Sequence, residues 1–286
     1  MELKKFFIIL FFLNITSFSN AEVITPLKSF TPSNSIIGHG LVNNNSVAFY
    51  GDDFTVRGGA ADASIWEKMI AAERFANEYE LPIVRLIEGT GGGGSVRTLE
   101  KDGYTYVPAN PGWDYVINNL AKVPVISLAL GPVAGLGAAR LVTSHFSIMV
   151  KALSQVFVAG PPLVEKIGEK VSKEELGGSE IHSKNGVVDI LANNEKEAID
   201  MAKTLLSYLP KSIYHIPSRI AKKDSINRTD ESLLNIIPKN QRESYDIFPI
   251  IKSITDKNSF FEIGENYGLS VITGFARLDG YPIILI

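Results

Sequence analysis

The chain of 286 residues is 45% hydrophobic and 21% charged, with a formal net charge of −3. This length and composition predict one large or two modest globular domains, and the nearly even charge argues against a nucleic-acid-binding surface. The absence of cysteine excludes thiolate catalysis, disulfides and thiolate zinc sites. The four histidines lack H-x-x-H or H-E-x-x-H spacing, so we expect no metal site built on histidine.

The first 21 residues combine a basic start, the apolar run F-F-I-I-L-F-F-L and small residues before Ala21. This pattern is typical of a secretory signal peptide, and the apolar run is shorter than the ~20 residues that span a bilayer. The alternative interpretation is a wrongly assigned translation start.

Short apolar segments separated by turns, the last of them Phe54-Thr55-Val56, predict a small antiparallel meander from Ser35 to Val56. Arg57-Gly58-Gly59-Ala60-Ala61 ends this meander. The capping-box pattern Ser64-x-x-Glu67 then predicts the start of a helix. Its expected inward face is Ile65, Met69, Ala72 and Ala76, with the basic residues Lys68 and Arg74 on its flanks.

An apolar strand from Pro82 that runs directly into glycines is the most informative feature of the sequence. Without side chains, Gly91, Gly92, Gly93 and Gly94 can adopt positive φ and let a ligand approach peptide N–H groups. Such a loop suits an oxyanion or a phosphate. The polar stretch Arg97 to Pro108 follows it as a predicted excursion.

A second junction of the same kind comes one α/β unit later. After a helix opening at Pro111, with Trp113, Val116, Ile117 and Leu120 at helical spacing, the segment Val123 to Leu130 predicts a strand. A glycine loop, Gly131 to Gly137, and a short helix from Ala138 to Thr143 complete the junction. Because successive units lie side by side, the two loops can direct N–H groups at one point.

The remainder predicts a repeat of strand, strand and helix, and then a different region. The expected strands are Phe146 to Val150, Val156 to Ala159 before a rigid corner at Gly160-Pro161-Pro162, and Val187 to Ile190, and the expected helix is Glu195 to Leu209. Residues 210–245 predict an interdomain connector. Two short helices, Phe248 to Ile254 and Ser259 to Tyr267, and a hairpin of Ser270 to Phe275 with Tyr281 to Ile286 follow, so that the chain would end in mid-strand.

Several known phosphate and nucleophile motifs are absent. The glycine loops lack the G-x-x-x-x-G-K-[ST] of nucleotide triphosphate binding, and no long helix follows Gly94 as a Rossmann fingerprint requires. Neither loop carries the G-x-S-x-G of a nucleophile elbow. An oxyanion site of paired backbone N–H groups therefore remains, and the alternative is that these glycines only permit close packing.

Long motifs resemble the carboxyltransferase (β) subunit of biotin-dependent acyl-CoA carboxylases, the propionyl-CoA and methylcrotonoyl-CoA carboxylase group. They are F-T-P-S-N-S-I-I-G-H-G from Phe30, D-D-F-T-V-R-G-G-A-A-D-A-S-I-W-E-K-M from Asp52, both glycine loops, V-F-V-A-G-P-P from Val156, E-E-L-G-G-S-E-I-H from Glu174, and F-F-E-I-G-E-N-Y-G-L-S-V-I-T-G-F-A-R-L-D-G-Y-P from Phe260. The resemblance implies a crotonase-like α/β fold, a ββα superhelix, in an N-terminal domain and the start of a second similar domain.

The resemblance also implies a mechanism without a side-chain catalyst. In this family, biotin brings both the carboxyl group and the base, and the protein orients an acyl-CoA and stabilises its enolate. The implied catalytic residues are Gly91, Gly92, Gly93, Gly94, Gly135 and Gly137. The implied acyl-CoA contacts are Arg57, Gly58, Gly59, Ala60, Lys68, Gly131 and Ala134. Glu88 is expected to be structural rather than an acid of the crotonase type.

The chain departs from the family pattern at both ends. The expected parts are a signal-like or misassigned start at 1–21, an acyl-CoA domain at 30–209, a linker at 210–245 and an incomplete second domain at 246–286. No A-M-K-M biotinyl motif occurs, so biotin would arrive on a separate carrier subunit, and a homo-oligomer is expected. The implied location is the cytosol or a mitochondrial matrix. Two alternatives stay open, a non-catalytic acyl-CoA-binding fragment and a crotonase-like hydratase or isomerase.

Overall fold

A mainly parallel sheet organises the computed structural model, which describes residues 33–60, 66–91, 100, 103, 112–221, 224–225, 227–240 and 242–286. The strand order is β1-β2-β3-β4-β5-β7, with β6 also paired to β4, and only β1 is antiparallel to its neighbour. These strands are β1 Ser35–Val42, β2 Asn45–Asp52, β3 Ile83–Gly89, β4 Val125–Ala134, β5 Phe146–Val150, β6 Gln155–Phe157 and β7 Ile190–Ala192. The expected α/β class is confirmed.

Helices cover both faces of this sheet. They are α1 Trp66–Glu78, α2 Trp113–Leu120, α3 Leu136–Val142, α4 Pro161–Val164, α5 Lys173–Gly177, α6 Ser179–Lys184, α7 Glu195–Tyr208 and α8 Phe248–Ile254. Leu86 and Leu128 pack on the α7 side, whereas Ile83 and Val125 pack on the side of α1 and α2. The alternation follows from the two-residue period of a strand, and burial on both faces explains why the first six residues of β4 are apolar apart from Ser127.

Helix α7 closes the larger core, as its apolar periodicity predicts. Asn194 caps it by accepting the N–H of Glu197 at 2.9 Å. Four of the residues predicted to face inward are buried: Ala198, Ala202, Leu205 and Leu206. Ile199 was predicted to be inward too, but it is 39% exposed and lines an open cavity between α7 and the sheet.

The second glycine loop is shorter than the sequence predicts. Strand β4 continues through Gly131, Pro132, Val133 and Ala134, and only Gly135 lies in the turn before α3. Pairing with β3 on one side and β6 on the other keeps these residues extended. The register of β4 on β3 shifts between Ile87 and Gly89. At this irregularity Pro132, which has no N–H to donate, can lie in a central strand without the loss of a ladder hydrogen bond.

Three other local predictions are wrong. Phe54-Thr55-Val56 forms a turn rather than a strand. Strand β2 pairs in parallel with β3 over residues 48–51 and ends at Asp52, before this segment. The corner at Gly160-Pro161-Pro162 is the start of α4, with proline in the first helical turn. The helix expected over Ser259 to Tyr267 is instead strand β8, Phe261–Ile263, because pairing with β9 satisfies its backbone.

The C-terminal hairpin is confirmed. Strands β9, Thr273–Leu278, and β10, Tyr281–Leu285, are antiparallel and form a three-stranded sheet with β8. The turn residues Asp279 and Gly280 have φ of 54° and 80°. Positive φ at both positions is what a two-residue type I′ turn requires. Phe275 of β9 is part of the core that α7 closes.

Some expectations lie outside the described residues. These are the signal-like segment 1–21, the helix start at Ser64 and Ile65, Gly92 to Gly94, Pro111 and nearly all of 97–108. The domain boundaries at 209 and 245 stay a prediction. No helix in the described part of the chain is both long and apolar enough to cross a bilayer.

The packing of α7 predicts a large difference between two residues of this helix. Leu205 is fully buried, so Leu205→Ala should lower the free energy of unfolding by about 2–5 kcal/mol through a cavity. Ile199→Ala on the same helix is the control, with a loss of about 1 kcal/mol or less because much of its side chain already meets water. Urea denaturation of the two variants measures the difference, and equal losses would contradict the assignment of the core.

Candidate functional site

Two glycine turns meet where the adjacent parallel strands β3 and β4 end. Gly89 pairs with Val133, which brings the backbone of Gly91 beside Ala134 and Gly135. A Cβ on Gly91 would lie 3.2 Å from the carbonyl oxygen of Ala134, and one on Gly135 would lie 3.8 Å from the Cα of Gly91. Gly91 and Gly135 have φ of 87° and 60°, which side chains disfavour. Bare backbone from two loops therefore meets at one edge of the sheet.

A third backbone segment, the 3₁₀ turn Arg57–Gly59, packs against the end of β3. Thr90 donates its N–H to the carbonyl oxygen of Gly58 at 3.0 Å. A Cβ on Gly59 would overlap the carbonyl oxygen of Glu88, and a Cβ on Gly89 would overlap the carbonyl oxygen of Gly59. Glycine is thus required at both positions for this contact, and the turn packs against the residues that lead into the first glycine loop.

Among the described residues at this edge, the N–H groups for which no hydrogen bond is seen belong to the start of α3. The N–H of Gly135 donates to the carbonyl oxygens of Phe157 and Val158, both at 3.2 Å. Gly135 therefore contributes its backbone conformation rather than a free donor. Leu136, Gly137 and Ala138 are the first three residues of α3, whose N–H groups have no acceptor within the helix.

The other predicted contact residues are distributed around these turns. Lys68 is exposed on α1 and donates from Nζ to the carbonyl oxygen of Ser35 at 3.0 Å. The carbonyl oxygen of Ala60 accepts the Nδ2 group of Asn34 at 2.9 Å. Gly131 is buried within β4, where a Cβ would overlap the Glu88 carboxylate. These contacts group Gly58, Gly59, Ala134 and Gly135 with Gly91, whereas Lys68 contacts Ser35 and Gly131 faces the Glu88 side chain.

A buried charge cluster beneath the turns was missed by the sequence analysis. Arg85 of β3 donates to both carboxylate oxygens of Glu73, from Nε at 2.8 Å and from Nη2 at 3.0 Å, and Arg140 of α3 donates from Nη2 to Glu73 Oε1 at 3.0 Å. The exposed fractions are 1% for Glu73, 0% for Arg85 and 3% for Arg140. The available signal was an arginine inside the apolar run P-I-V-R-L-I, a place that favours charge only when a partner is buried with it.

The cluster continues to the end of β2. The guanidinium carbon of Arg140 lies 4.2 Å from the ring centroid of Tyr50, a cation–π contact. Tyr50 donates its hydroxyl to Asp52, whose Oδ2 accepts the N–H of Glu88 at 3.1 Å. The two buried arginines are thereby matched by two carboxylates, Glu73 and Asp52, and the contacts connect α1 and α3 to the first glycine loop.

Burial and charge shift the two carboxyl groups in opposite directions. Burial alone would raise the pKa of Glu73, but Arg85 and Arg140 hold that pKa at about 2. Burial raises the pKa of Asp52 to about 6, against the lowering effects of the Tyr50 hydroxyl and of Arg140. Glu73 is therefore ionised throughout the physiological pH range, whereas Asp52 titrates close to that range.

Glu88 is only partly buried and lies on the α7 side of the sheet. Burial raises the pKa of its carboxyl group, and the charges of Glu195, Asp52 and Asp53 raise it further. Its carboxylate packs against Gly131, next to β4. Glu88 therefore combines a raised pKa with a position that faces acidic neighbours rather than the buried arginines.

The family model of the carboxyl transferase domain matches residues 12–286. The chain belongs to the carboxyl transferase domain family. The carboxyltransferase subunit of propionyl-CoA carboxylase from Haloferax mediterranei is 32% identical over 252 residues, covering 87% of this chain and 48% of the relative. Methylmalonyl-CoA decarboxylase subunit alpha from Veillonella parvula is 31% identical over 266 residues, covering 91% of this chain and 50% of the relative.

A solved structure agrees on the fold. The transcarboxylase 12S, crystallised with methylmalonyl-CoA and methylmalonic acid, superposes with a TM-score of 0.79 at 25% identity, covering 90% of this chain and 49% of that protein. The crotonase-like fold expected from the sequence is thus confirmed. This chain spans about half the length of the curated relatives it matches.

Asp52 predicts an unusual dependence of stability on pH. Its pKa rises on folding from 3.8 to about 6, so its contribution to stability is fully present below pH 3.8 and is lost as the pH rises through 6. Replacement by Asn should remove this loss, which is on the order of 3 kcal/mol between these limits. Urea denaturation of wild type and Asp52→Asn at pH values from about 4.5 to 7.5 compares the two slopes.

Asp114→Asn is the matched control for this experiment, because Asp114 is exposed on α2. Its curve should run parallel to that of the wild type. Parallel curves for wild type and Asp52→Asn would instead show that Asp52 does not titrate differently in the folded protein.

Proposed function

We propose that this chain carries the acyl-CoA half-site of a biotin-dependent carboxyltransferase, which moves a carboxyl group from carboxybiotin to an acyl-CoA. The acceptor would be the α carbon, or the γ carbon of a vinylogous thioester. The observation that carries the proposal is the meeting of Gly91 with Ala134 and Gly135 at the start of α3. Membership of the carboxyl transferase family supports the same reaction class.

The chain's part in this reaction is to bind and polarise the thioester. Loss of the α-proton moves negative charge onto the thioester oxygen, and backbone N–H groups placed there stabilise the enolate by about 3–4 kcal/mol each. We assign this role to the free N–H groups at the start of α3, around Gly137, and to the loop from Gly91 to Gly94. The missing Cβ atoms at Gly91 and Gly135 allow a flat thioester to reach them.

Biotin fits this arrangement because the described residues at the two turns offer backbone donors rather than a side-chain base. When bound, it would supply the carboxyl group and the base that accepts the α-proton. Gly58, Gly59 and Ala60 would support the loop on the acyl-CoA side, and the basic residues Arg57 and Lys68 are proposed as contacts of the CoA phosphates. Orientation and charge stabilisation are then what the protein contributes.

The wider assembly is proposed from the relatives. We place the acyl-CoA site in residues 30–209, a linker in 210–245 and the start of the second domain in 246–286. The partners would be a biotin carrier with its biotin carboxylase, and further copies of the chain, since the similar transcarboxylase 12S is described as a hexamer. Acyl-CoA and biotin chemistry would place the protein in the cytosol or a mitochondrial matrix.

A crotonase-like hydratase or isomerase is the second candidate. The pKa of Glu88, raised by burial and by its acidic neighbours, favours it, because a carboxyl group that holds its proton more readily is better suited to proton transfer. The position of Glu88 against Gly131 on the α7 side, and its acidic neighbours, favour a structural role instead. A non-catalytic acyl-CoA-binding fragment is the remaining alternative, in which binding persists without carboxyl transfer.

The glycine turns predict the effect of adding one methyl group. Gly91→Ala should weaken propionyl-CoA binding at least tenfold, about 1.4 kcal/mol, because Gly91 has φ of 87° and faces Ala134. Gly40→Ala is the control, since nothing lies within 4 Å of a Cβ there. Thermal-shift titrations with CoA, acetyl-CoA, propionyl-CoA and methylcrotonyl-CoA provide the affinities.

A second measurement separates the reaction classes. Biotin-dependent decarboxylation of methylmalonyl-CoA, followed by chromatography of the CoA esters, reports carboxyl transfer, and hydration of crotonyl-CoA reports a hydratase. Glu88→Gln should leave the first activity within about threefold of wild type. Loss of hydration on this substitution would identify the hydratase, and a chain that no acyl-CoA stabilises would contradict the proposed function.

A further inference from the structure

Helix α3, which carries the second glycine turn, is held in place by two buried arginines. It has only seven residues, Leu136–Val142. The side chain of Arg140 connects it to Glu73 of α1 at 3.0 Å. From the other direction, Nη1 of Arg85 donates to the carbonyl oxygens of Arg140 and Thr143 at 3.0 and 2.6 Å. The helix is therefore fixed by its own side chain and by the carbonyl groups of its last turn.

The same contacts reach the first glycine loop. Arg85 lies on β3, the strand that ends at Gly89, and Glu73 joins it to Arg140. Arg140 stacks on Tyr50, and Tyr50 and Asp52 lead to the N–H of Glu88. Three connections thus run between α3 and β3: the direct bonds of Arg85 to the last turn of α3, one route through Glu73 and one through Asp52.

Burying this charge cluster in the core costs free energy. Removing charged groups from water costs several kcal/mol per ion, and apolar residues of similar volume often stabilise a fold as well or better. Asn119 also donates to Glu73 Oε2 at 2.9 Å, so the carboxylate is saturated with donors and its position is narrowly defined. Directional bonds define distances in a way that apolar packing does not, and active sites need placement within about 0.5 Å.

We propose that Arg140 is a positioning residue, which through Glu73 and Tyr50 sets the spacing between the Gly91 turn and the free N–H groups at the start of α3. The structural part of this inference stands on the contacts of Arg140 alone. Its consequence for a bound thioester rests on the proposed function. Arg140 itself touches no substrate atom in this scheme.

Amide hydrogen exchange tests, without any ligand, whether the contacts of Arg140 hold α3 in place. In Arg140→Met, Glu73 keeps Arg85, so the fold can persist, and we expect the hydrogen-bonded amides of Gly135 and of residues 139–142 to exchange at least tenfold faster than in wild type. Tyr50→Phe keeps a ring beneath the guanidinium but removes the bond to Asp52. We expect faster exchange at Glu88 with little change in α3. Arg74→Met, an exposed position on α1, is the control that should change neither region.

Polarisation of a bound thioester carbonyl tests whether Arg140 positions the N–H donors at the start of α3. On saturating wild type with propionyl-CoA labelled with carbon-13 at the thioester carbon, its NMR signal should move downfield, because the N–H donors polarise the carbonyl group. In Arg140→Met the affinity should stay within about threefold, since most CoA contacts remain, while at least half of this shift is lost. Arg140→Lys, which keeps the charge beside Glu73 but not the planar stacking, should recover part of the shift. A purely structural role would leave the shift of the folded variant intact.

The outcomes separate the two proposals. A folded Arg140→Met with wild-type exchange and carbonyl shift would overturn the positioning role while leaving the proposed function in place. Wild type that shows no carbonyl shift at saturation would contradict the proposed function, and exchange would still decide the role of Arg140. Should Arg140→Met fail to fold, Arg140→Lys carries the same comparison, and unchanged exchange in α3 would then count against the proposal.

Discussion

The close approach of bare backbone around Gly59, Gly89 and Gly91 is the constraint on which the site depends. A Cβ at Gly59 or Gly89 would overlap a carbonyl oxygen of the facing segment, and the Gly91 turn rests against Ala134. Parallel pairing of β3 with β4 brings both turns to the same edge of the sheet. Since the described residues at the two turns offer peptide N–H groups as donors, the geometry suits a reaction in which charge appears on a substrate oxygen and the base comes from elsewhere.

Beneath this edge lies a polar core that most folds of this size would avoid. Glu73, Arg85 and Arg140 are almost completely removed from water, and their mutual bonds offset a large desolvation cost. Asp52 is the second carboxylate of this core, and burial raises its pKa to about 6. The buried charges lie between β3, α1 and α3, whereas the largest apolar cluster lies on the other face of the sheet, against α7.

The relatives place these features in a wider context. The chain matches about half of each carboxyltransferase relative and of the transcarboxylase 12S, and its own parallel sheet with the two glycine turns lies within the matched residues. A half-site that binds a thioester is chemically meaningful alone, because binding and polarisation are separable from carboxyl donation. The assignment of Glu88 matters as well, since a carboxylate base in the site would take over the proton-accepting role that the proposal gives to biotin, while the carboxyl group would still have to come from a donor.

The sequence by itself determined the parallel units, the position of α7 and the glycines at two strand ends. These features follow from local periodicity and from the special φ freedom of glycine. Even so, it placed the second loop four residues too early and predicted a helix where β8 forms, because only pairing with distant strands decides those segments. The tertiary structure alone decided that the Gly135 N–H is already bonded and that Arg140, Glu73, Tyr50 and Asp52 form one buried cluster. Their positions in the sequence are far apart, and no local pattern records a contact between the side chains of different elements.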